Sequence, residues 1–248
     1  MMNSFNIDGI EIPFDKNWNN IAISLSGGAD SALLAYLLCD HIRKEHLEHI
    51  TVHVISHIRC WKTKPWQEYD SLKIYNWLIQ DFGKINFKRY TNFIAPDLEY
   101  AVTGPSLIDE YGKSVSGDNI QIRSFSEYVC DRNNIDSYYN AVTRNPRNVA
   151  FEGMKERDIE PNDHNQHLVI MKHMDRWAIH PFRFVEKSWI IEQYYKLELE
   201  ELLNNTRSCE GQITNLDYKT YRPYQYVPVC RECFWCKERE WAIEQHNK

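Results

Sequence analysis

No apolar run in the 248-residue sequence approaches the roughly 18 to 20 residues that cross a bilayer, so no membrane-spanning helix and no membrane partner is expected. The opening residues Met1-Met2-Asn3-Ser4-Phe5 lack the basic stretch and apolar segment of a secretory signal, which points to a soluble, cytoplasmic chain. Glycine and proline are scarce at nine each, which excludes collagen-like and low-complexity classes. Positive charge is also short, with 29 Lys and Arg against 35 Asp and Glu. The resulting net charge of -6 argues against a general electrostatic grip on nucleic acid and leaves only local basic patches for that role. Neither G-x-x-x-x-G-K-[ST] nor G-x-G-x-x-G occurs, so the Walker-type loop and the dinucleotide fingerprint are both absent. No internal repeat is present.

What the chain does have is an alternation of strands and helices. Asn20-Ile21-Ala22-Ile23-Ser24-Leu25 reads as a strand covered on both faces. Leu33, Leu34, Leu37 and Leu38 then share one helical face, and His49 to Ile55 forms a second strand. Strand, helix and strand in this order make a βαβ unit, which implies a parallel sheet. A helix over Pro65 to Phe82, a strand over Ile85 to Tyr90, a helix over Ile120 to Arg132, a strand over Ser137 to Val142 and a helix over Phe184 to Leu203 continue the pattern. Residues 103–118 read as a loop, and 144–167 as a long exposed loop or lid. The expected fold class is α/β, a doubly wound parallel sheet over residues 1–203, followed by a cysteine-rich segment over 204–248. A chain of this length buries enough core to fold without disulfides or metal.

The segment with most chemical content is Ser26-Gly27-Gly28-Ala29-Asp30-Ser31, at the junction of the first strand and first helix. Two glycines allow positive φ and close approach of a ligand. The helix start offers free N–H groups and the positive end of the dipole, which favour an anion. Asp30 repels a bare phosphate but suits Mg²⁺ bridging phosphate oxygens, while Ser26 and Ser31 add hydroxyl donors. A nucleoside triphosphate with its metal matches these groups better than a simple anion.

Seven cysteines, an odd count, argue against a disulfide framework. Cys209, Cys230, Cys233 and Cys236 cluster near the end of the chain, the last three spaced as Cys-x-x-Cys-x-x-Cys, which points to metal. A redox pair is the other use of Cys-x-x-Cys, and an iron–sulfur cluster another use of three such thiolates. Cys130 falls on an apolar helix face and reads as core.

Ser-Gly-Gly-x-Asp-Ser resembles the PP-loop of the N-type ATP pyrophosphatases, whose members share a Rossmann-like sheet, the adenine nucleotide alpha hydrolase-like PP-loop fold. The order of His180-Pro181-Phe182, Glu186-Lys187-Ser188-Trp189, Thr206-Arg207-Ser208-Cys209 and Cys230-Arg231-Glu232-Cys233-Phe234-Trp235-Cys236 further resembles the 7-cyano-7-deazaguanine synthase family. That resemblance implies a ligase that cleaves ATP to AMP and diphosphate, activates a carboxylate as an adenylate and lets ammonia displace AMP, in queuosine- or archaeosine-type deazapurine synthesis. It assigns Ser26, Gly27, Gly28, Asp30 and Ser31 to ATP, Lys187 to the departing phosphate, and the strand end near His53, Val54 and Ile55 to adenine. Catalysis would rest on Asp30 with Lys187, and a structural Zn²⁺ on Cys209, Cys230, Cys233 and Cys236, the four thiolates that tetrahedral zinc requires. Members of the family are often homodimers.

Parts of the chain depart from the family pattern. Asp118-Asn119 stands where an Arg-Asn is usual, and Glu210 to Val229 forms a long insert containing Tyr218, Tyr221, Tyr224 and Tyr226. Val142-Thr143-Arg144-Asn145-Pro146-Arg147-Asn148 replaces an acidic substrate loop and suits an anionic substrate. These departures leave room for another acceptor: a protein terminus, a nucleic acid base or tRNA sulfur transfer.

Overall fold

Asp8 and Gly9, with φ of 48° and 85°, reverse the chain between β1 (Ser4–Ile7) and β2 (Ile10–Pro13). An Asp-Gly pair accepts these left-handed values readily, and its twist matches that of the flanking strands. The hairpin is tied down rather than free. Gln193 and Lys196 donate to the Asp8 carboxylate, Phe5 stacks on His41 at 4.1 Å, and the Tyr139 hydroxyl donates to the Pro13 carbonyl at 2.6 Å. This element lies outside the alternation expected from the sequence.

The computed structural model describes residues 3–59, 66–94, 107–108, 114–115, 117–152, 154, 168–171, 176–210 and 228–248. After the hairpin come β3 (Asn20–Ser24), α1 (Ala29–Lys44), β4 (Thr51–Arg59), α2 (Gln67–Asp81) and β5 (Asn86–Ile94). Two short strands, β6 (Leu107–Ile108) and β7 (Ser114–Val115), pair with each other, inside the stretch expected to be a loop. Then follow α3 (Gly117–Arg132), β8 (Ser137–Tyr139), β9 (Leu168–Met171), β10 (Arg176–Ile179), α4 (Lys187–Lys196), α5 (Glu200–Asn205) and α6 (Phe234–His246).

The main sheet has the order β5-β4-β3-β8-β10-β9, with every pairing parallel except the antiparallel edge pair β10–β9. Successive residues of β3 point to opposite faces, as the two-residue period of a strand requires. Ile21 and Ile23 enter a core with α1, α2, α4 and α5, while Ala22 joins Val129 and Cys130 of α3 on the other face. The fold is therefore α/β with a doubly wound, Rossmann-like sheet. The C-terminal helix belongs to the same packing, since Ala242 of α6 is fully buried in the larger core. Each such aliphatic burial contributes about 1.5 to 3 kcal/mol for a Leu- or Ile-sized side chain.

Several bounds differ from expectation. The strands expected to end at Ile55 and Tyr90 run on to Arg59 and Ile94, because β4 and β5 continue to pair with one another beyond the end of β3. The strand expected over Ser137 to Val142 stops at Tyr139. The expected helix over Phe184 to Leu203 is two helices, α4 and α5, separated where Glu198 takes φ of 55°. Most of 144–167, Cys60 and the tyrosines of the 210–229 insert lie outside the described residues. Among the described residues, no helix is long and apolar enough to cross a membrane.

Candidate functional site

Strand β3 has β4 on one side and β8 on the other, so the chain leaves the sheet in diverging directions at the carboxyl ends of β3 and β8. That divergence opens a crevice, the usual ligand position in an open α/β sheet. Here it is a cleft of about 230 Å³, with Ser26, Gly28, Asp30 and Ser31 on one side and Ala141 to Thr143 on another.

The loop is built by its own serines. The Ser26 and Ser31 hydroxyls lie 3.1 Å apart, the Gly28 N–H donates to Ser26 Oγ at 3.3 Å, and Ser31 Oγ donates to the Gly28 carbonyl at 3.2 Å. Gly27 has φ of +84°, and a Cβ there would lie 2.8 Å from Asp70 Cβ and 3.0 Å from the Ser71 nitrogen. Glycine is needed at this position for both reasons. Gly28 is the N-cap of α1, with Asp30 in the first turn, where a carboxylate is favoured by the helix dipole.

Lys187, the first residue of α4, reaches across the cleft mouth and donates from Nζ to Asp30 Oδ1 at 2.6 Å and Oδ2 at 2.5 Å. Thr143 Oγ1, from the loop after β8, donates to Asp30 Oδ2 at 3.5 Å. The Arg144 side chain and the Arg147 N–H both bond Glu186, the N-cap of α4, so the arginine-bearing loop is pinned beside Lys187. Two separate chain segments, α4 and the loop after β8, thus converge on the Asp30 carboxylate.

Beneath the loop lies a layer that sequence reasoning missed. The Arg207 N–H donates to the Gly27 carbonyl at 2.8 Å, and its guanidinium sits 4.1 Å from the centre of the Trp66 ring, with Nε 3.9 Å from Asp70. Burial pushes the Asp70 carboxyl above its ordinary value, against the pull of Lys73 and Arg207. A buried Arg89–Glu68 pair, with two bonds at 3.0 and 2.8 Å, braces the start of α2. Trp66 and Asp70 carry no local motif; their role comes from tertiary approach alone.

Val54, expected beside adenine, lies within β4. That side chain is fully buried in the larger core, in mid-strand, because alternate residues of β4 face α1 and α2. His53 is buried on the opposite face, held between Asn20 and Tyr90, and burial together with Lys88 holds its pKa down to about 4. His180 is half-buried just ahead of the turn at 181–184, its pKa likewise lowered to about 4 by burial and Arg183. Cys130 is fully buried in core.

The four sulfurs of Cys209, Cys230, Cys233 and Cys236 all lie within 4.8 Å of one another, with Cys209–Cys230 at 3.5 Å and Cys230–Cys236 at 4.0 Å. Tetrahedral ligation at about 2.3 Å requires sulfurs about 3.8 Å apart, so the group fits a single thiophilic ion. Neighbouring thiols, Cys209 first, push the Cys233 and Cys236 thiols up from their ordinary value. A bound cation reverses that preference by favouring thiolate. The N–H groups of Cys230 and Cys233 point at Cys209 Sγ and Cys230 Sγ, both at 3.4 Å, as donors that stabilise charge on sulfur.

Fold and site together define an α/β protein with an anion-suited loop at the sheet's switch point and a four-cysteine group near its end. No protein-family model matches the chain. No curated protein matches it either. Among solved structures the chain is similar to U34-tRNA thiolase NcsA from Methanococcus maripaludis with its 4Fe-4S cluster, at 13% identity and a TM-score of 0.46. That match covers 93% of this chain and 66% of the thiolase, just under two thirds of its length. It is also similar to phosphoadenylyl-sulfate (PAPS) reductase from Candida auris, a phosphate complex, at 11% identity and a TM-score of 0.42, over 79% of this chain and 82% of that one. The functional reading rests on the chain's own residues.

Proposed function

We propose that the protein is an ATP-dependent carbon–nitrogen ligase that adenylates a carboxylate, releasing diphosphate, and then amidates it with ammonia, releasing AMP. The observation that carries this reading is the Asp30–Lys187 pair at the lip of the Ser26–Ser31 loop. The loop amides and serines suit a triphosphate chain, and Asp30 suits the Mg²⁺ that accompanies it. Lys187, already at the cleft, is placed to offset negative charge on diphosphate as the bond between the α and β phosphates breaks. The attacking carboxylate oxygen stays with AMP, so a poor leaving oxygen becomes a good one. Repetition on the amide oxygen removes it as well and gives a nitrile.

The nearest reaction is 7-carboxy-7-deazaguanine plus ammonia to 7-cyano-7-deazaguanine. Support for an anionic acceptor is the arginine-bearing loop held by Glu186 next to Lys187. Zinc is the ion we assign to the four cysteines, because the sulfur separations suit one ion. In a 4Fe–4S cluster each thiolate binds a different iron, and the sulfurs stand further apart. With four protein ligands zinc has no open position, so its role is structural.

The test is to incubate the zinc-loaded protein with Mg–ATP, ammonium and candidate carboxylates, and to follow AMP, diphosphate and the acceptor's mass. Carboxylate-dependent AMP with an amide or nitrile product is expected. ADP and phosphate as products would remove the reading.

A further inference from the structure

The four-cysteine group and the phosphate loop are joined by a very short piece of chain. Arg207 and Cys209 are two residues apart, a reach of at most about 7 Å. The Arg207 N–H bonds the Gly27 carbonyl, while Cys209 places its sulfur among the metal-binding thiols. Between them, Ser208 lines the cleft. In a trans peptide the carbonyl of Gly27 and the N–H of Gly28 point in opposite directions. Fixing the carbonyl from below therefore aims the Gly28 N–H, which donates to Ser26 Oγ at 3.3 Å and so sets a hydroxyl that lines the cleft.

Two further ties lock this arrangement. The Trp66 indole N–H donates to the Cys209 carbonyl at 3.3 Å, and the same ring carries the Arg207 guanidinium on its face. From the other side, Arg239 of α6 donates to the Thr206 carbonyl and hydroxyl and to the Leu203 carbonyl. Trp235, between Cys233 and Cys236 in sequence, also lines the cleft.

We infer that occupancy of the four-cysteine centre sets the geometry of the phosphate loop, with Trp66 and Arg207 as positioning residues between the two sites. The inference rests on the loop being the nucleotide site. It makes metal and nucleotide binding one linked equilibrium. Each ligand tightens the other by the same factor, and such couplings run from about 5-fold to 150-fold.

The experiment uses an ATP analogue with a methylene group between the α and β phosphorus atoms, with excess Mg²⁺, so that nothing is cleaved. Its affinity is measured by calorimetry for the parent chain and for Trp66→Phe, each zinc-loaded and chelator-stripped. The expected result is at least a 5-fold loss on stripping. For Trp66→Phe, which keeps the four thiols and an aromatic face, zinc stoichiometry is retained and the coupling shrinks. Equal affinity with and without zinc overturns the inference, and an unchanged coupling in Trp66→Phe overturns the part given to Trp66. No binding to the loaded chain would instead strike the nucleotide reading itself. If the stripped chain unfolds, zinc affinity is read by competition with a chromophoric chelator, with and without the analogue. Tightening by the analogue supports the coupling, and an unchanged zinc affinity overturns it.

Discussion

Lys187 Nζ lies 2.6 and 2.5 Å from the two carboxylate oxygens of Asp30, across 157 residues of sequence. Lys187 is only 3% exposed, whereas Asp30 keeps 19% exposure where it lines the cleft. Removing Asp30 leaves the buried Lys187 ammonium uncompensated, a loss of about 3 to 5 kcal/mol, while removing Lys187 costs less because the surviving carboxylate reaches the cleft. Asp30→Asn and Lys187→Met should each lower the melting temperature, and the double variant should recover part of that loss. All three should lose AMP formation by about 100-fold or more. Thermal denaturation beside an AMP assay checks this, and additive stability losses in the double variant would show that the pair is uncoupled.

Gly27 and Gly9 have nearly the same φ, +84° and +85°, in different surroundings. A Cβ at Gly9 meets nothing within 4 Å, whereas at Gly27 it meets Asp70 and Ser71. Gly9→Ala should therefore cost only the left-handed backbone penalty, about 1 to 2 kcal/mol. Gly27→Ala should cost clearly more and should weaken nucleotide binding as the loop shifts off α2. Chemical denaturation of both variants decides it; equal losses would mean that the loop yields freely.

Much of this architecture is legible in the residues themselves. The apolar run of β3, the leucines of α1 and the Gly-Gly-x-Asp-Ser junction carry local signals strong enough to place the loop at a strand-to-helix turn. The four cysteines point to one another by spacing. Other elements have weak signals. Strands β9 and β10 are four residues each and have no long apolar run, so they pass unnoticed until the sheet supplies their neighbours. The β1–β2 hairpin did have a signal, Asp8-Gly9 between alternating apolar residues. Strand β4 runs past Val54 to Arg59 because its end is set by its pairing with β5, which no local pattern encodes. Likewise, Trp66 and Asp70 reach the site only through tertiary packing.

Acid should destabilise the fold through its buried histidines. His57 is held between Ser126 and Asn92 on the α3 side of the sheet, and burial with nearby Arg59 lowers its pKa to about 4. The folded form therefore keeps this ring neutral at pH values where the unfolded chain binds a proton. Its contribution is complete above about pH 6.5 and is lost as the pH falls toward 4. At about 1.4 kcal/mol per pH unit, that is roughly 3 kcal/mol at most for His57. Stability measured from pH 7 to 4.5 should fall less steeply in His57→Gln than in the parent chain. Identical slopes would contradict the account.

The four-cysteine group predicts one ion per chain. Elemental analysis should find close to one zinc, and Cys233→Ser should lower both zinc content and melting temperature. Chelation of the parent chain should reproduce the loss and added zinc should restore it. Four irons with sulfide in place of zinc would replace a single ion by a cluster.

The most direct test of the central claim follows oxygen. With ¹⁸O in the carboxylate of 7-carboxy-7-deazaguanine, Mg–ATP and ammonium, adenylation carries one labelled oxygen into the phosphate of AMP. Label in AMP is the predicted result. Label in inorganic phosphate with ADP as the nucleotide product, or AMP free of label, would contradict it.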